Sequence, residues 1–263
     1  KAPLRKQQRR AIATFPDGEY LVDSKESVLS LEKTPTFHAS VNPERAPEFW
    51  DYNSFVPEFG DVNNYEIDGP IAVGRHSQIM SGFAVNSNTR LAIKTMMPIS
   101  PHKINRQALA LVNLKNLPHV QNCIDIIKDD ESNTHSFVTV YSPHEPLESF
   151  RDAVSFTDAV TLAFRVFDGL DNIHSRGIMH RNIHPGNVLL NPKGKKDVTI
   201  VDFDNCEFYH QAQYYATRRI TKKGWLSPEM ALNMQDYHYA VDCWGAGVIV
   251  AQMFYPTVPQ FQV

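Results

Sequence analysis

The sequence predicts an α+β fold of two lobes, a small antiparallel β lobe followed by a larger helical one. Three observations predict it. Between residues 65 and 142 the chain breaks into short apolar-alternating runs separated by Gly or Asn, the pattern of antiparallel strands. Beyond residue 155 the apolar residues recur at helical spacing instead. The 263 residues suit one large domain or two lobes sharing a cleft.

The elements follow in order. Residues 1–36 read as a basic N-terminal extension. Its first sixteen residues carry Lys1, Arg5, Lys6, Arg9 and Arg10 and no acid. Two readings stay open for it: a contact with RNA, an acidic protein or an anionic membrane, or a solvated terminus. An Arg-rich, acid-poor start is also shared with organelle-targeting segments. Residues 37–64 carry Phe49, Trp50, Tyr52, Phe55 and Phe59, too many rings for a solvated linker, and read as an arm packed on a folded body. The runs YEIDGPIAVG, QIMSGFAVN and TRLAIKTM predict three strands. SPHKINRQALALVNLKNL predicts a helix started at Ser100 or Pro101, with Ile104, Ala108, Leu111 and Leu114 on its apolar face. CIDIIKD and SFVTVYS predict two more strands. FTDAVTLAFRVFDGLDNIHSRG predicts a helix capped by Thr157, ended at Gly177, and apolar along Val160, Phe164, Phe167 and Leu170. DVTIVDF predicts a short strand, and DYHYAVDCWGAGVIVAQMF a largely apolar, buried helix.

Composition bounds the function classes. With 42% apolar and 21% charged residues a core of normal size is expected and wholesale disorder is excluded. The net charge of −3 does not mark the chain as a whole as a nucleic-acid binder. Cys123, Cys206 and Cys243 are widely spaced and odd in number, which argues for a reducing intracellular compartment, cytoplasm and mitochondrion both remaining open. The longest apolar run is too short to cross a bilayer, so no membrane span is expected.

Singly, the short motifs are weak; their order is not. A Gly-bearing hairpin, AIK, a helix, HRNxxxxN, DFD, SPE and DxWGxG follow one another as the protein-kinase signature set does. NPERAPEFWDYNSFVPEFGDVNNYEI, HSRGIMHRNIHPGNV, EFYH and QDYHYAVDCWG closely resemble the catalytic subunit of casein kinase 2, from about residue 37 to about 260. The resemblance implies a bilobal kinase-like fold: a small lobe at 65–142 with one long helix, and a large lobe at 143–263. It also implies further large-lobe helices after DCWG. The sequence stops there, so the large lobe is expected to be incomplete.

The resemblance also implies roles. Lys94 stands where a strand lysine holds nucleotide phosphates, and Asn187 and Asp202 match two Mg²⁺ ligands. Ala72, Gly74 and Ser77 match the loop over the phosphates, with Ala72 replacing a Gly. Ala92 and Thr139 fall in the adenine pocket; for Thr139 an ordinary strand position is the equal alternative. Gln107 replaces the helix Glu that pairs with the lysine. His180, Phe203, Glu229 and Asp242 take structural roles: His180 packs beneath Phe203, and Asp242 fixes the loop backbone. ATP and Mg²⁺ are thus the cofactors the resemblance implies.

The departures concentrate in one site. Asn182 stands where the catalytic Asp belongs; an amide orients a hydroxyl but has almost no basicity. His184 replaces the loop Lys, and an imidazole of ordinary pKa is mostly neutral at pH 7. Asp204 replaces a Gly, adding a carboxylate that either binds an extra cation or repels phosphate. The expectation is a pseudokinase, a structural or assembly component with protein partners. The alternatives are a slow Ser/Thr kinase and an RNA-contacting component of a ribonucleoprotein particle. Arg218, Arg219, Lys222 and Lys223 offer a second basic patch, either for an acidic partner, RNA or phosphate, or simply solvated.

Overall fold

A computed structural model of the chain describes residues 37–74, 77–141, 145–146, 155–191, 197–217, 221 and 224–254. The basic arm of Lys1, Arg5, Lys6, Arg9 and Arg10, and the patch of Arg218, Arg219, Lys222 and Lys223, lie outside the described residues.

The small lobe is a five-stranded antiparallel sheet of β1 (Tyr65–Val73), β2 (Ser77–Ala84), β3 (Arg90–Met96), β4 (Cys123–Asp129) and β5 (Thr134–Val140), in the order β1-β2-β3-β5-β4. The β2–β3 turn passes through Asn88 at φ 52°, a left-handed position that Asn tolerates. Alternation along β3 places Leu91 and Ile93 in a buried cluster with Ile127 and Val138. It turns Ala92, Lys94 and Met96 to the opposite face, where Met96 packs with the helix α1 (Pro101–Asn113). Ser100 is the N-cap and Pro101 opens α1, and Ile104, Ala108, Leu111 and Leu114 are all buried, as their spacing predicts.

The aromatic segment packs on this body from outside. Trp50, Tyr52 and Phe55 are partly buried against the main core. The Trp50 ring meets His210 edge-on with centroids 4.7 Å apart, and Tyr52 stacks on Phe208 at 5.9 Å. Phe49 instead lies under the Arg45 guanidinium at 4.0 Å, and Phe59 stays exposed beside His135. Side-chain amides fasten the backbone. Asn113 Nδ2 donates to Phe49 O (2.6 Å) and Asn105 Nδ2 to Phe55 O (2.9 Å). Buried Asn42 Nδ2 donates to Gly177 O (2.8 Å) and Tyr209 O (2.9 Å). Gly177 has φ 72°, and a Cβ there would lie 2.2 Å from Asn42 Oδ1, so backbone conformation and close approach both demand glycine.

The large lobe is built on α2 (Phe156–His174) and α4 (Ala240–Phe254), which pack together. Among the described residues it adds the short strands β6 (Glu145–Pro146), β7 (Ile178–Met179), β8 (Val188–Leu190), β9 (Val198–Ile200) and β10 (Glu207–Phe208), and the short helix α3 (Pro228–Ala231). None of the described helices is long and apolar enough to cross a membrane. Cys123 and Cys206 are buried and Cys243 is exposed, all three as free thiols.

Two expectations about α2 are corrected. Its N-cap is Ser155, whose hydroxyl accepts the Asp158 amide at 3.2 Å, rather than Thr157. Its buried face is Ala159, Leu162, Val166, Gly169, Leu170 and Ile173, whereas Val160, Phe164 and Phe167 are exposed. Both stripes are apolar at helical spacing, so periodicity does not choose between them. Gly169 marks the side: a Cβ there would lie within 3.1 Å of Ile200 and His119, so that face of the helix is the one packed closely on the body. Leu162→Ala is therefore expected to lower stability by about 2–5 kcal/mol, and Phe164→Lys to change it by about 0.5 kcal/mol or less. Urea denaturation of both variants checks the assignment, and comparable losses would overturn it.

Candidate functional site

The site lies where β3, the segment after β7 and the segment after β9 meet. Lys94 occupies the middle of β3, paired with Ile79 on β2 and Phe137 on β5. Its ammonium contacts Asp202 Oδ1 at 2.5 Å and Asp204 Oδ1 at 2.7 Å. Burial alone would push the Lys94 pKa down; the two carboxylates outweigh it and hold it above its ordinary value. One ammonium does not serve two part-buried carboxylates equally. For both acids burial acts upward. At Asp202 the Lys94 charge prevails and the pKa is lowered. At Asp204 burial and the neighbouring Asp202 prevail, and it is raised.

Asp202 sits at φ 72° and ψ 71°, a left-handed conformation that Asp takes more readily than most residues other than Gly and Asn. Its amide donates to Gln121 Oε1 (3.3 Å), and the following Phe203 is fully buried. Asn187 closes a short 3₁₀ turn, Pro185–Asn187, and its Nδ2 donates to Asn182 O (3.0 Å) and Asp202 Oδ2 (3.3 Å). This geometry sets the Asn187 amide directly against the Asp202 carboxylate. His184 caps the same turn, its Nδ1 accepting the Gly186 amide at 3.1 Å.

The loop carrying Asn182 is held from below by Asp242 in the first turn of α4. Its carboxylate accepts the amides of His180 (2.8 Å) and Arg181 (2.6 Å), and it meets His174 Nε2 at 3.0 Å. Arg181 is thereby fixed at φ 63°, and its side chain reaches Asn205 O (2.7 Å) and the Tyr237 hydroxyl (3.1 Å). His180 is fully buried, edge-on to Phe203 with centroids 4.8 Å apart. Its Nδ1 accepts the Asn182 amide (3.3 Å) and its Nε2 lies 3.0 Å from Val201 O, the pattern of a neutral ring. Burial pushes its pKa down, against a smaller opposite effect of Asp242.

The other sequence-derived positions fall around this centre. Ala92 and Thr139 face each other across β3 and β5, and the Thr139 hydroxyl donates to Ala92 O at 3.2 Å. Ala72 and Gly74 are exposed near the β1–β2 turn, where the Gly74 amide donates to Ser77 O at 2.8 Å; Arg75 and His76 lie outside the described residues. Gln107 is buried on α1, and among the described residues no hydrogen bond joins it to Lys94. Glu229 lies on α3. Among the described residues, no cluster of three or more His, Cys, Asp or Glu is arranged to hold a metal.

Sequence reasoning missed the link that holds α1 to this centre. Arg106, one residue before Gln107, contacts Glu207 Oε2 at 2.9 Å, and Arg181 approaches the same oxygen at 3.7 Å. Arg106 and Glu207 are both mostly buried, so the pair ties α1 to β10 independently of Lys94. Nothing in the spacing of residues 101 apart announces such a pair. The only signal was that Arg106 and Glu207 each lie in a quoted motif.

A five-stranded antiparallel lobe and a helical lobe, joined at a strand lysine and two cleft acids, define a bilobal kinase-like protein. Consistent with this, the protein kinase domain family model matches residues 65–262, and the chain belongs to that family. Protein kinase domains generally bind ATP and Mg²⁺.

Proposed function

We propose that the chain is a catalytically impaired, casein kinase 2-like pseudokinase that binds nucleotide and serves as a structural or assembly component of a larger complex. The observation that carries this reading is a catalytic loop with its scaffold intact and its reacting groups replaced. Asp242 still holds the loop amides and Arg181 still takes its left-handed turn. Yet the residue two beyond His180 is the amide Asn182, and the His184 ring is spent on capping a turn. Loss of general-base assistance alone removes a factor of about 10²–10⁴ in rate.

Nucleotide binding is supported by the chemistry that remains. Lys94 offers an ammonium, and Asp202 and Asn187 offer the hard oxygens that suit Mg²⁺. Ala92 and Thr139 would border the base, and the backbone at Ala72, Gly74 and Ser77 would cover the phosphates. Bound ATP with Mg²⁺ supplies a phosphoryl group and its charge neutralisation; this chain's part is to hold and orient it. Protein docking is supported by the exposed apolar stripe of Phe156, Val160, Phe164 and Phe167 on α2. The RNA-contact reading rests on Lys1, Arg5, Lys6, Arg9 and Arg10, outside the described residues, and no structural observation favours it.

The test is Mg²⁺-dependent phosphotransfer by the native chain beside Asp202→Ala. The expected result is no difference between them above background. Turnover by the native chain that Asp202→Ala abolishes would make it a slow kinase and sink the proposal.

A further inference from the structure

We infer that Asp204 is the specificity-determining residue of the nucleotide site: it is a built-in counter-ion that competes with nucleotide phosphate for Lys94. The inference rests on the nucleotide reading above and adds what regulates it. Three observations carry it. The Lys94 ammonium, with its side chain only 12% exposed, has both Asp202 at 2.5 Å and Asp204 at 2.7 Å. Asp204 brings a second carboxylate to a cation that Asp202 already neutralises, so the three groups together carry a formal charge of −1. Asp204 is also fixed in place: it lies in the 3₁₀ turn Phe203–Asn205, between fully buried Phe203 and Asn205, whose carbonyl accepts from Arg181 at 2.7 Å. Its backbone carbonyl is also 3.5 Å from Arg106 Nη2.

A polyphosphate reaching Lys94 must therefore displace a carboxylate that is held by its own turn and pairs with Lys94. That competition depends on phosphate, not on the base or the sugar. Like charge at this range opposes a polyanion further, because the two carboxylates are only partly exposed to solvent. The native chain is thus expected to favour ligands with few phosphates. Removing Asp204 is expected to restore the preference for the triphosphate.

The experiment is isothermal titration of the full chain and of Asp204→Asn and Asp204→Gly with adenosine, ADP and ATP, the nucleotides with and without Mg²⁺. Circular dichroism melts establish that each variant is folded. The expected result is an ATP affinity raised at least about tenfold in both variants, a smaller gain for ADP, and unchanged adenosine affinity. Equal ATP affinity in native and variant proteins, with adenosine bound by all, would overturn the inference and leave the nucleotide reading standing. Equal gains for adenosine and ATP would show a pocket rearrangement and also overturn it. No binding of any ligand, adenosine included, would overturn the nucleotide reading and this inference together.

Discussion

Asp242→Asn is expected to lower the stability of the folded chain by about 3–5 kcal/mol, the range for leaving buried polar partners unmatched. In a domain of this size that is a fall in Tm of about 10 °C. The carboxylate is fully buried and accepts from two consecutive backbone amides while meeting His174. An amide of the same shape offers one acceptor oxygen and turns an NH₂ toward the other donors. The loss is compounded because the carboxylate holds Arg181 at φ 63°, a strained conformation for a residue with a Cβ. The effect has a defined pH dependence. Burial alone would raise the Asp242 pKa, but the hydrogen bond and charge of His174, with the hydrogen bond from the His180 amide, lower it. Below the unfolded pKa of about 3.9 the unfolded chain binds a proton that the folded chain resists, so stability rises with pH there. This contribution is complete above about pH 4 and is lost as pH falls through the folded pKa. Urea melts of the native chain and Asp242→Asn should therefore diverge near pH 7 and converge in acid. A constant gap through that range would show that Asp242 is not the ionised anchor of the loop.

Restoring the reacting groups is the second large effect. The triple variant Asn182→Asp, His184→Lys, Asp204→Gly is expected to gain Mg²⁺-dependent phosphotransfer of at least about 10²-fold over the native chain. The first change returns a base and the second a loop cation. The third removes the competitor for Lys94, which the structure places 2.7 Å away. The groups act as a unit, so single reversions are expected to recover much less than their share. Asp202→Ala in the triple background should abolish the gain. An inactive triple variant that nevertheless binds ATP more tightly would move the obstacle elsewhere, to Gln107 on α1 or Ala72 in the phosphate loop.

Much of the fold was legible because local chemistry and final environment agree. All five small-lobe strands fall on their predicted runs, since alternation directly reports a sheet with two distinct faces. The α1 face was legible because its first two turns after Pro101 are polar except at Ile104 and Ala108, which fixes the side that Leu111 and Leu114 continue. On α2 two stripes are apolar, and the choice fell to Gly169, a residue that carries no hydrophobic signal. At the site, Lys94, Asn187 and Asp202 were found from motif order, and the fold brings Lys94 and Asn187 each against Asp202. For Asp204 the sequence left two outcomes open, cation binding or phosphate repulsion, and its pairing with Lys94 across 110 residues was not readable from either motif.

By itself, then, the sequence determined the two-lobe α+β plan, the ordered motif set, and that Asn182 and His184 stand where the resemblance implies a base and a loop cation. Those are properties of residue type and local period, and they need no knowledge of what lies across the cleft. Only the tertiary structure decided which α2 face is buried, that Arg106 and Glu207 tie α1 to the large lobe, and that Lys94 is shared by two acids. Each of these depends on distance between segments remote in the chain. Ion pairing and close packing fall off within a few ångströms, so sequence spacing carries no record of them.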